Sequence, residues 1–149
     1  MKTGDLAPDF EATLESGEKV SLNQYKGRKV VLYFYPRDNT SGCTREACDF
    51  RDRISDIQAR GSVVLGVSPD SVKSHQRFKE KFDLPFSLVS DESREVAQAY
   101  GVWREKKLYG KTSMGIVRST FIIDEEGRIA RVYDKVKVAG HVDDVLESL

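Results

Sequence analysis

The chain has 149 residues, enough for one ordinary domain that buries a core without disulfide or metal support. Its 24 basic and 24 acidic side chains cancel, so the basic excess that is typical of nucleic-acid-binding proteins is missing. The N-terminus lacks the apolar region of a secretory signal, and no apolar run is long enough to span a membrane. We expect one domain over residues 1–149, no nucleic-acid or membrane partner, and the reducing cytoplasm as its compartment.

The first half of the chain predicts a hairpin, then two buried strands with a helix after each. "ATLESGEKVSL" indicates a hairpin with its turn at Ser16-Gly17. "VVLYFYP" is a β-branched and aromatic run that ends at Pro36, which predicts a buried central strand. A helical stretch follows to about Arg60 and ends at Gly61, and "VVLGVS" predicts the second buried strand. "SPDSVKSHQRFKEKFDLP" then predicts a capped helix.

The second half predicts a short strand, a helix, a hairpin and a final helix. These are "FSLVS", "DESREVAQAYG" with its end at Gly101, "STFIIDEEGRIARVYD" with its turn at 125–127, and "HVDDVLESL". Two buried strands, each followed by a helix, favour a parallel βαβ core. The whole order is typical of an α/β thioredoxin-like fold, with an N-terminal β-hairpin extension and a central mixed sheet flanked by helices.

The two cysteines, Cys43 and Cys48, both lie in the helix predicted after the first buried strand. Thr40 or Ser41 is a suitable N-cap, so Cys43 lies in the first helical turn. Free N–H groups and the positive end of the helix dipole stabilise a thiolate there. One helix terminus supplies only about 1 kcal/mol, so a nearby cation is also expected, although the residue pattern does not identify which arginine provides it.

Helix periodicity separates the two sulfur atoms. The apolar stripe of the helix contains Cys43, Ala47, Phe50, Ile54 and Ile57. Cys48 lies about 140° away from Cys43 around the helix axis. An intact helix holds the two Cα atoms roughly 8.7 Å apart, whereas a disulfide needs less than about 7 Å. Either the cysteines never bond, or the first helical turns unwind when they do.

The residues alone do not assign a single role to the cysteines. Cys43 also fits a small buried hydrophobic residue. A zinc site is disfavoured because the cysteines lack a second ligand pair, with His75 and His141 isolated in the sequence. An ordinary dithiol–disulfide exchanger is disfavoured because there is no C-x-x-C motif.

The motif Pro36-x-x-x-Thr40-x-x-Cys43 matches the active-site signature of the peroxiredoxins. The surrounding "YPRDNTSGCTREACDFRD" resembles the peroxiredoxin Q group, also called bacterioferritin comigratory proteins, of the atypical two-cysteine type. "APDFEATLESGEKVSL" and "YGVWREKKLYGKTSMGIVRSTFIIDEEGRI" extend the resemblance over essentially the whole chain. The resemblance implies a thiol-dependent peroxidase of antioxidant defence, which reduces hydrogen peroxide and organic hydroperoxides.

The resemblance also implies a role for each matching residue. Cys43 would be the peroxidatic cysteine, whose thiolate attacks a peroxide oxygen and becomes sulfenic acid. Thr40 would turn its hydroxyl toward the sulfur and the peroxide, and Pro36 would shape the loop and shield the thiolate. Arg118 would supply the missing cation, and Glu46 would orient an arginine.

Cys48 would be the resolving cysteine. It would attack the sulfenic acid and form an intramolecular Cys43–Cys48 disulfide, which thioredoxin or a similar dithiol reductant then reopens. Neither a metal nor an organic cofactor is called for by this chemistry. The resemblance to peroxiredoxin Q proteins favours a monomer over a dimer.

Each matched residue is also consistent with a purely structural role. Pro36 fits the end of a strand, Thr40 a helix cap, Arg118 a surface charge, and Glu46 a first-turn acid. Trp103 and Tyr109 lie in a Lys/Arg-rich stretch that favours packing and a solvated loop over a nucleic-acid surface.

A second functional interpretation is a redox-sensing interaction module. In this interpretation, oxidation of Cys43 unwinds the helix and exposes its apolar stripe to a partner. The two functions differ in turnover, since an enzyme consumes many equivalents of peroxide and a sensor stops near one.

Overall fold

Nine strands form two sheets in the computed structural model, which describes the backbone of residues 1–149 and all side chains except that of Leu108. The strands are β1 (Glu11–Leu14), β2 (Lys19–Ser21), β3 (Lys29–Phe34), β4 (Ser62–Ser68), β5 (Ser87–Ser90), β6 (Trp103–Leu108), β7 (Lys111–Ile116), β8 (Ser119–Ile123) and β9 (Ile129–Tyr133). The helices are α1 (Ser41–Asp52), α2 (Ile54–Ala59), α3 (Val72–Phe82), α4 (Glu95–Ala99) and α5 (His141–Glu147), with a 3₁₀ turn at Leu22–Tyr25. The main sheet has the order β2-β1-β5-β4-β3-β8-β9, and β6 and β7 form a separate hairpin.

Strand β3 lies in the centre of the main sheet, as its continuous apolar run predicts. Every residue from Val30 to Phe34 is buried. β3 pairs in parallel with β4 and antiparallel with β8, and β4 pairs in parallel with β5. Parallel neighbours need crossover connections, which α1 and α2 provide between β3 and β4, and α3 between β4 and β5. The predicted βαβ core, mixed sheet and N-terminal hairpin β1–β2 are confirmed.

Alternate side chains of β3 enter two separate cores, one on each face of the sheet. The first core includes Val30, Leu32, Phe34, Tyr100 and Phe121. The second includes Val31, Tyr33, Tyr35, Cys43, Ala47, Phe50 and Val145. The rings of Tyr33 on β3 and Phe50 on α1 stack with their centroids 4.6 Å apart, and this contact holds α1 against the sheet.

Two predicted helices differ from those observed. The helix predicted up to Arg60 is interrupted at Arg53, whose φ of −112° and ψ of 6° end α1 before α2 begins. The helix predicted from Asp91 begins only at Glu95. The Asp91 carboxylate instead accepts hydrogen bonds from the N–H groups of Val96 and Ala97 at 3.1 and 2.9 Å, so it caps the helix from a preceding turn.

The hairpin β6–β7 replaces the predicted solvated loop. Its turn residues, Tyr109 and Gly110, have φ of 53° and 75°, the positive values that a type I′ turn requires. Asn-Gly or Asp-Gly would have indicated this turn, whereas tyrosine is uncommon in that conformation. Across the residues that the structure describes, no helix is both long and apolar enough to cross a membrane.

The last helix packs against the sheet through a buried histidine. Nε2 of His141 lies 2.7 Å from Oγ1 of Thr120 on β8, and its ring packs edge-to-face on Phe50. Burial lowers the pKa of His141 to about 4; Asp144 opposes this shift and Arg118 adds to it.

Replacing His141 with glutamine should make the free energy of unfolding fall less steeply as the pH is lowered. Between pH 6.5 and about pH 4 the unfolded chain binds a proton at His141 that the folded protein does not bind. The stability that depends on a neutral His141 in the fold is fully present above pH 6.5 and is lost as the pH falls toward 4. Urea unfolding followed by circular dichroism from about pH 4 to pH 7.5 measures the slope. An H141Q slope equal to that of the wild type would contradict a buried neutral ring.

Candidate active site

Cys43 is the third residue of α1, as the predicted N-cap implies. The helix begins here because Thr40 has extended backbone angles and its carbonyl accepts the first helical bond from the Thr44 N–H, at 2.8 Å. The Cys43 side chain is 2% exposed and packs with the apolar face of α1. The sulfur is thus nearly closed to bulk water at the end of a helix that favours negative charge.

The arginine beside the sulfur is Arg118, which the helix argument alone did not identify. Arg118 immediately precedes β8, and its Nη2 lies 3.3 Å from Cys43 Sγ. Gly42 leaves room for this approach, because a Cβ at that residue would lie 3.3 Å from the same Nη2. The guanidinium therefore supplies both a charge and a donor to a Cys43 thiolate.

Glu46 fixes the orientation of this guanidinium. Its Oε1 accepts a hydrogen bond from Arg118 Nη1 at 2.7 Å, and the residue is 0% exposed. Burial raises the pKa of Glu46 to about 7, against the opposing effect of Arg118. Burial alone would lower the pKa of Arg118, but Glu46 and Cys43 outweigh it and raise that pKa, so the guanidinium keeps its charge.

Lys106 on β6 is a second cation close to this centre, and sequence reasoning missed it. Its side chain crosses over Gly115, where an added Cβ would lie 3.1 Å from Lys106 Cδ. Burial lowers the pKa of Lys106, Arg118 lowers it further, and Cys43 raises it. Only the pairing of β6 with β7, which the sequence does not signal, brings this side chain here.

Thr40 and Pro36 lie on the loop that joins β3 to α1. The Thr40 hydroxyl donates to the Arg37 carbonyl at 3.0 Å. A hydroxyl has one hydrogen, so Thr40 does not donate to the sulfur while it donates to Arg37, and the contact that the resemblance implies requires the hydroxyl to turn away from this carbonyl. Pro36 is half-buried and lies two residues beyond the end of β3.

Cys48 lies on the other side of α1 and is half-buried. Both cysteines are free thiols, and α1 runs unbroken from Ser41 to Asp52. Burial raises the pKa of Cys48, with Arg51 opposing the shift. The structure therefore shows the conformation in which helix geometry keeps the two sulfur atoms apart.

A buried polar cluster adjoins the same loop, and the sequence-based view of His75 as isolated is wrong. Nδ1 of His75 lies 2.7 Å from Oδ2 of Asp38, a residue 37 positions earlier in the chain. Asp38, Asp70 and His75 each offer one potential metal ligand within 4.8 Å of the others. The Asp38 carboxylate already bonds to Tyr35, Ser74 and His75. The Asp70 carboxylate accepts from the Asp38 N–H and the Ser68 hydroxyl, so the group fits a closed hydrogen-bond network better than a cation site.

Comparison with known proteins finds relatives along the whole chain. Residues 3–132 match the AhpC/TSA family. Peroxiredoxin Bcp of Bacillus subtilis is 50% identical over 149 residues, which cover 100% of this chain and 95% of that protein.

Two solved structures confirm the thioredoxin-like fold. Bacterioferritin comigratory protein of Xanthomonas campestris, studied for its alkyl peroxide reduction activity, superposes with a TM-score of 0.90 at 42% identity, covering 93% of this chain and 88% of its own. A cysteine-to-serine mutant of Xylella fastidiosa PrxQ superposes with a TM-score of 0.94 at 38% identity, covering 99% and 94%.

Replacing Arg118 with methionine should slow alkylation of Cys43. The change removes a charge-assisted hydrogen bond to the sulfur, and because such a bond contributes about 1.5 kcal/mol we expect roughly tenfold slower alkylation. The rate is measured with iodoacetamide at about pH 7 in protein that also carries Cys48→Ser, so that only Cys43 reacts.

Arg45→Met is the matched control, because Arg45 is an exposed arginine on the same helix. We expect this control to alter the alkylation rate by less than about twofold, as for an exposed charge. Equal losses in the two variants would show that Arg118 has no specific effect on the sulfur.

Proposed function

The chain belongs to the AhpC/TSA family and, within it, to the Bcp or peroxiredoxin Q group of thiol peroxidases, and from this premise we propose how its residues carry out the reaction. The observation that carries the proposal is the 3.3 Å contact between Arg118 Nη2 and the buried sulfur of Cys43. A buried thiol at a helix start, next to a fixed guanidinium, is suited to act as a nucleophilic thiolate.

In the first step, the Cys43 thiolate attacks one oxygen of hydrogen peroxide or an organic hydroperoxide. The S–O bond forms as the O–O bond breaks, and the other oxygen leaves as water or an alcohol after taking up a proton. Arg118 stabilises the thiolate first and then the charge that develops on the oxygens. The sulfur provides both electrons, so the step calls for neither a metal nor a cofactor. The alkyl peroxide reduction activity of the Xanthomonas campestris relative supports organic hydroperoxides as substrates.

Three other residues prepare this step. Glu46 holds the Arg118 guanidinium in place through its 2.7 Å hydrogen bond and does not touch substrate. Thr40 releases the Arg37 carbonyl and turns its hydroxyl toward the bound peroxide. Pro36 shapes the loop and shields the thiolate from water.

In the second step, Cys48 attacks the sulfenic sulfur and releases water, which forms the Cys43–Cys48 disulfide. The first turns of α1 must unwind, because a helix keeps the Cα atoms about 8.7 Å apart. The interruption at Arg53 supports a local transition, since it separates these turns from α2, whose Ile57 is fully buried. Thioredoxin or a similar dithiol reductant then reopens the disulfide.

We place this cycle in the cytoplasm, as part of antioxidant defence. A reducing compartment would return both cysteines to the free thiols seen in the structure. The peroxiredoxin Q resemblance supports a monomer.

The decisive experiment measures turnover with thioredoxin, thioredoxin reductase and a nicotinamide reductant. The wild-type protein should consume many equivalents of hydrogen peroxide per chain, whereas Cys43→Ser should consume none above background because the nucleophile is absent. Peroxide consumption that stops near one equivalent would favour the redox sensor instead. An active Cys43→Ser variant would exclude Cys43 as the nucleophile.

Cys48→Ser separates the two steps. This variant should consume one equivalent of peroxide at the wild-type rate and then stop, because nothing resolves the sulfenic acid. Mass spectrometry after one equivalent of peroxide, with dimedone as the trapping reagent, should find the adduct on Cys43. If no first turnover occurs, Cys48 has a part in the peroxide step as well.

A further inference from the structure

The loop that carries Pro36 and Thr40 has a buried carboxylate at its centre, Asp38, that the peroxide chemistry does not use. Asp38 is 7% exposed, although carboxylates usually face water. The next residue, Asn39, has a φ of 60°, a left-handed value that is strained for a residue other than glycine. Such a conformation persists only where the surroundings determine it, so the contacts of Asp38 bear on the shape of the loop.

The Asp38 carboxylate accepts three hydrogen bonds from buried or half-buried side chains. The Tyr35 hydroxyl donates to Oδ1 at 2.6 Å, and the Ser74 hydroxyl donates to Oδ2 at 2.8 Å. Nδ1 of His75 faces the same Oδ2 at 2.7 Å. The Asp38 N–H donates in turn to Oδ2 of Asp70 at 2.8 Å. Contacts on both carboxylate oxygens and on the N–H therefore fix Asp38 in place within the loop.

His75 has an acceptor at each ring nitrogen. Nε2 lies 3.0 Å from the Val89 carbonyl on β5 and 3.5 Å from Ser68 Oγ, whose own hydrogen goes to Asp70 Oδ2 at 2.6 Å. The fully buried ring therefore lies between Asp38 of the loop and the Val89 carbonyl of β5 and links the two.

The contact between His75 and Asp38 joins a part of the active site that must move to a part that is fixed. Asp38 lies just before α1, which must unwind in the proposed cycle, whereas His75 lies on α3 and is tied to β5 in the main sheet. Lys81 of α3 also donates to Oδ1 of Asn39 at 3.2 Å, but both residues are exposed, so this contact contributes little. Ser74 of α3 also donates to Asp38 at 2.8 Å, but of these three links between the loop and α3 only His75 continues to the main sheet.

We propose that His75 is a positioning residue of the peroxidase, which holds the Pro36–Thr40 loop against α3 and β5 through its 2.7 Å hydrogen bond with Asp38. The loop then keeps its place while α1 unwinds and re-forms, and Thr40 returns to the same position relative to the sulfur. His75 acts through Asp38 and never touches peroxide. The proposal rests on the proposed function, because it assigns His75 to the first step of that cycle.

The test compares His75→Gln with His141→Gln in protein that also carries Cys48→Ser. Glutamine retains an amide donor for the Val89 carbonyl but removes the ring nitrogen that faces Asp38. His141 is the matched control, a buried histidine that bonds to Thr120 and lies outside the loop. Competition with a haem peroxidase of known rate gives the rate constant of Cys43 oxidation by hydrogen peroxide.

We expect H75Q to slow Cys43 oxidation between about tenfold and a hundredfold, the range for a displaced reacting group, and H141Q to stay within about twofold. In chains that retain Cys48, H75Q should leave the rate of disulfide reduction by dithiothreitol unchanged, because that step does not use the loop. A merely structural role would lower the unfolding temperature of both histidine variants alike and would spare the oxidation rate.

The wild-type protein provides a measurement that does not depend on how a variant folds. Nitrogen-15 NMR should show a proton on Nδ1 of His75, which faces Asp38, and a bare Nδ1 would overturn this hydrogen bond. Equal oxidation rates in H75Q and wild type, or equal losses in the two histidine variants, would overturn the positioning role alone. A wild-type protein that consumes no peroxide would overturn the proposed function and this proposal with it.

Discussion

The contact between the Arg118 guanidinium and the Cys43 sulfur depends on the register of the central sheet. Phe34 at the end of β3 lies opposite Ser119 at the start of β8 because the two strands are antiparallel. The residue before β8 therefore reaches the loop that leaves β3, where α1 begins. Glu46, one turn along α1 from Cys43, then fixes the guanidinium from the same side. Three elements thus meet at one sulfur, and none of them alone makes the site.

The same helix has to stabilise a thiolate and also come apart. Its first turn supplies the free N–H groups, while Phe50 further along packs on Tyr33 and is fully buried. Extracting Phe50 would cost about 1.5–3 kcal/mol, so unwinding that stops before it is the less costly transition. Cys48 lies before Phe50 in the chain, which means that the resolving thiol can move while this anchor stays in place.

Sequence reasoning succeeded where the signal is local and failed where it is not. The position of Cys43 on the buried stripe follows from helix periodicity, and the parallel core follows from two apolar runs. The partnership of Arg118 with Cys43 spans 75 residues and follows from family resemblance rather than from periodicity. No resemblance or pattern indicated the pairing of His75 with Asp38. The β6–β7 hairpin was missed because Tyr109-Gly110 is not a usual type I′ sequence.

The reaction itself changes the charge balance of the site. The thiolate, Arg118 and Glu46 form a row of alternating charges in the reduced protein when Glu46 is ionised. Conversion of the thiolate to sulfenic acid removes one negative charge, so Arg118 loses its charge attraction to Cys43 at the start of α1. In the proposed cycle, oxidation therefore weakens the contact that keeps Cys43 in its helix at the moment when Cys48 must reach it. The contact between Asp38 and His75 contains no reacting atom and does not depend on the oxidation state of Cys43, which suits it to hold the loop while α1 changes.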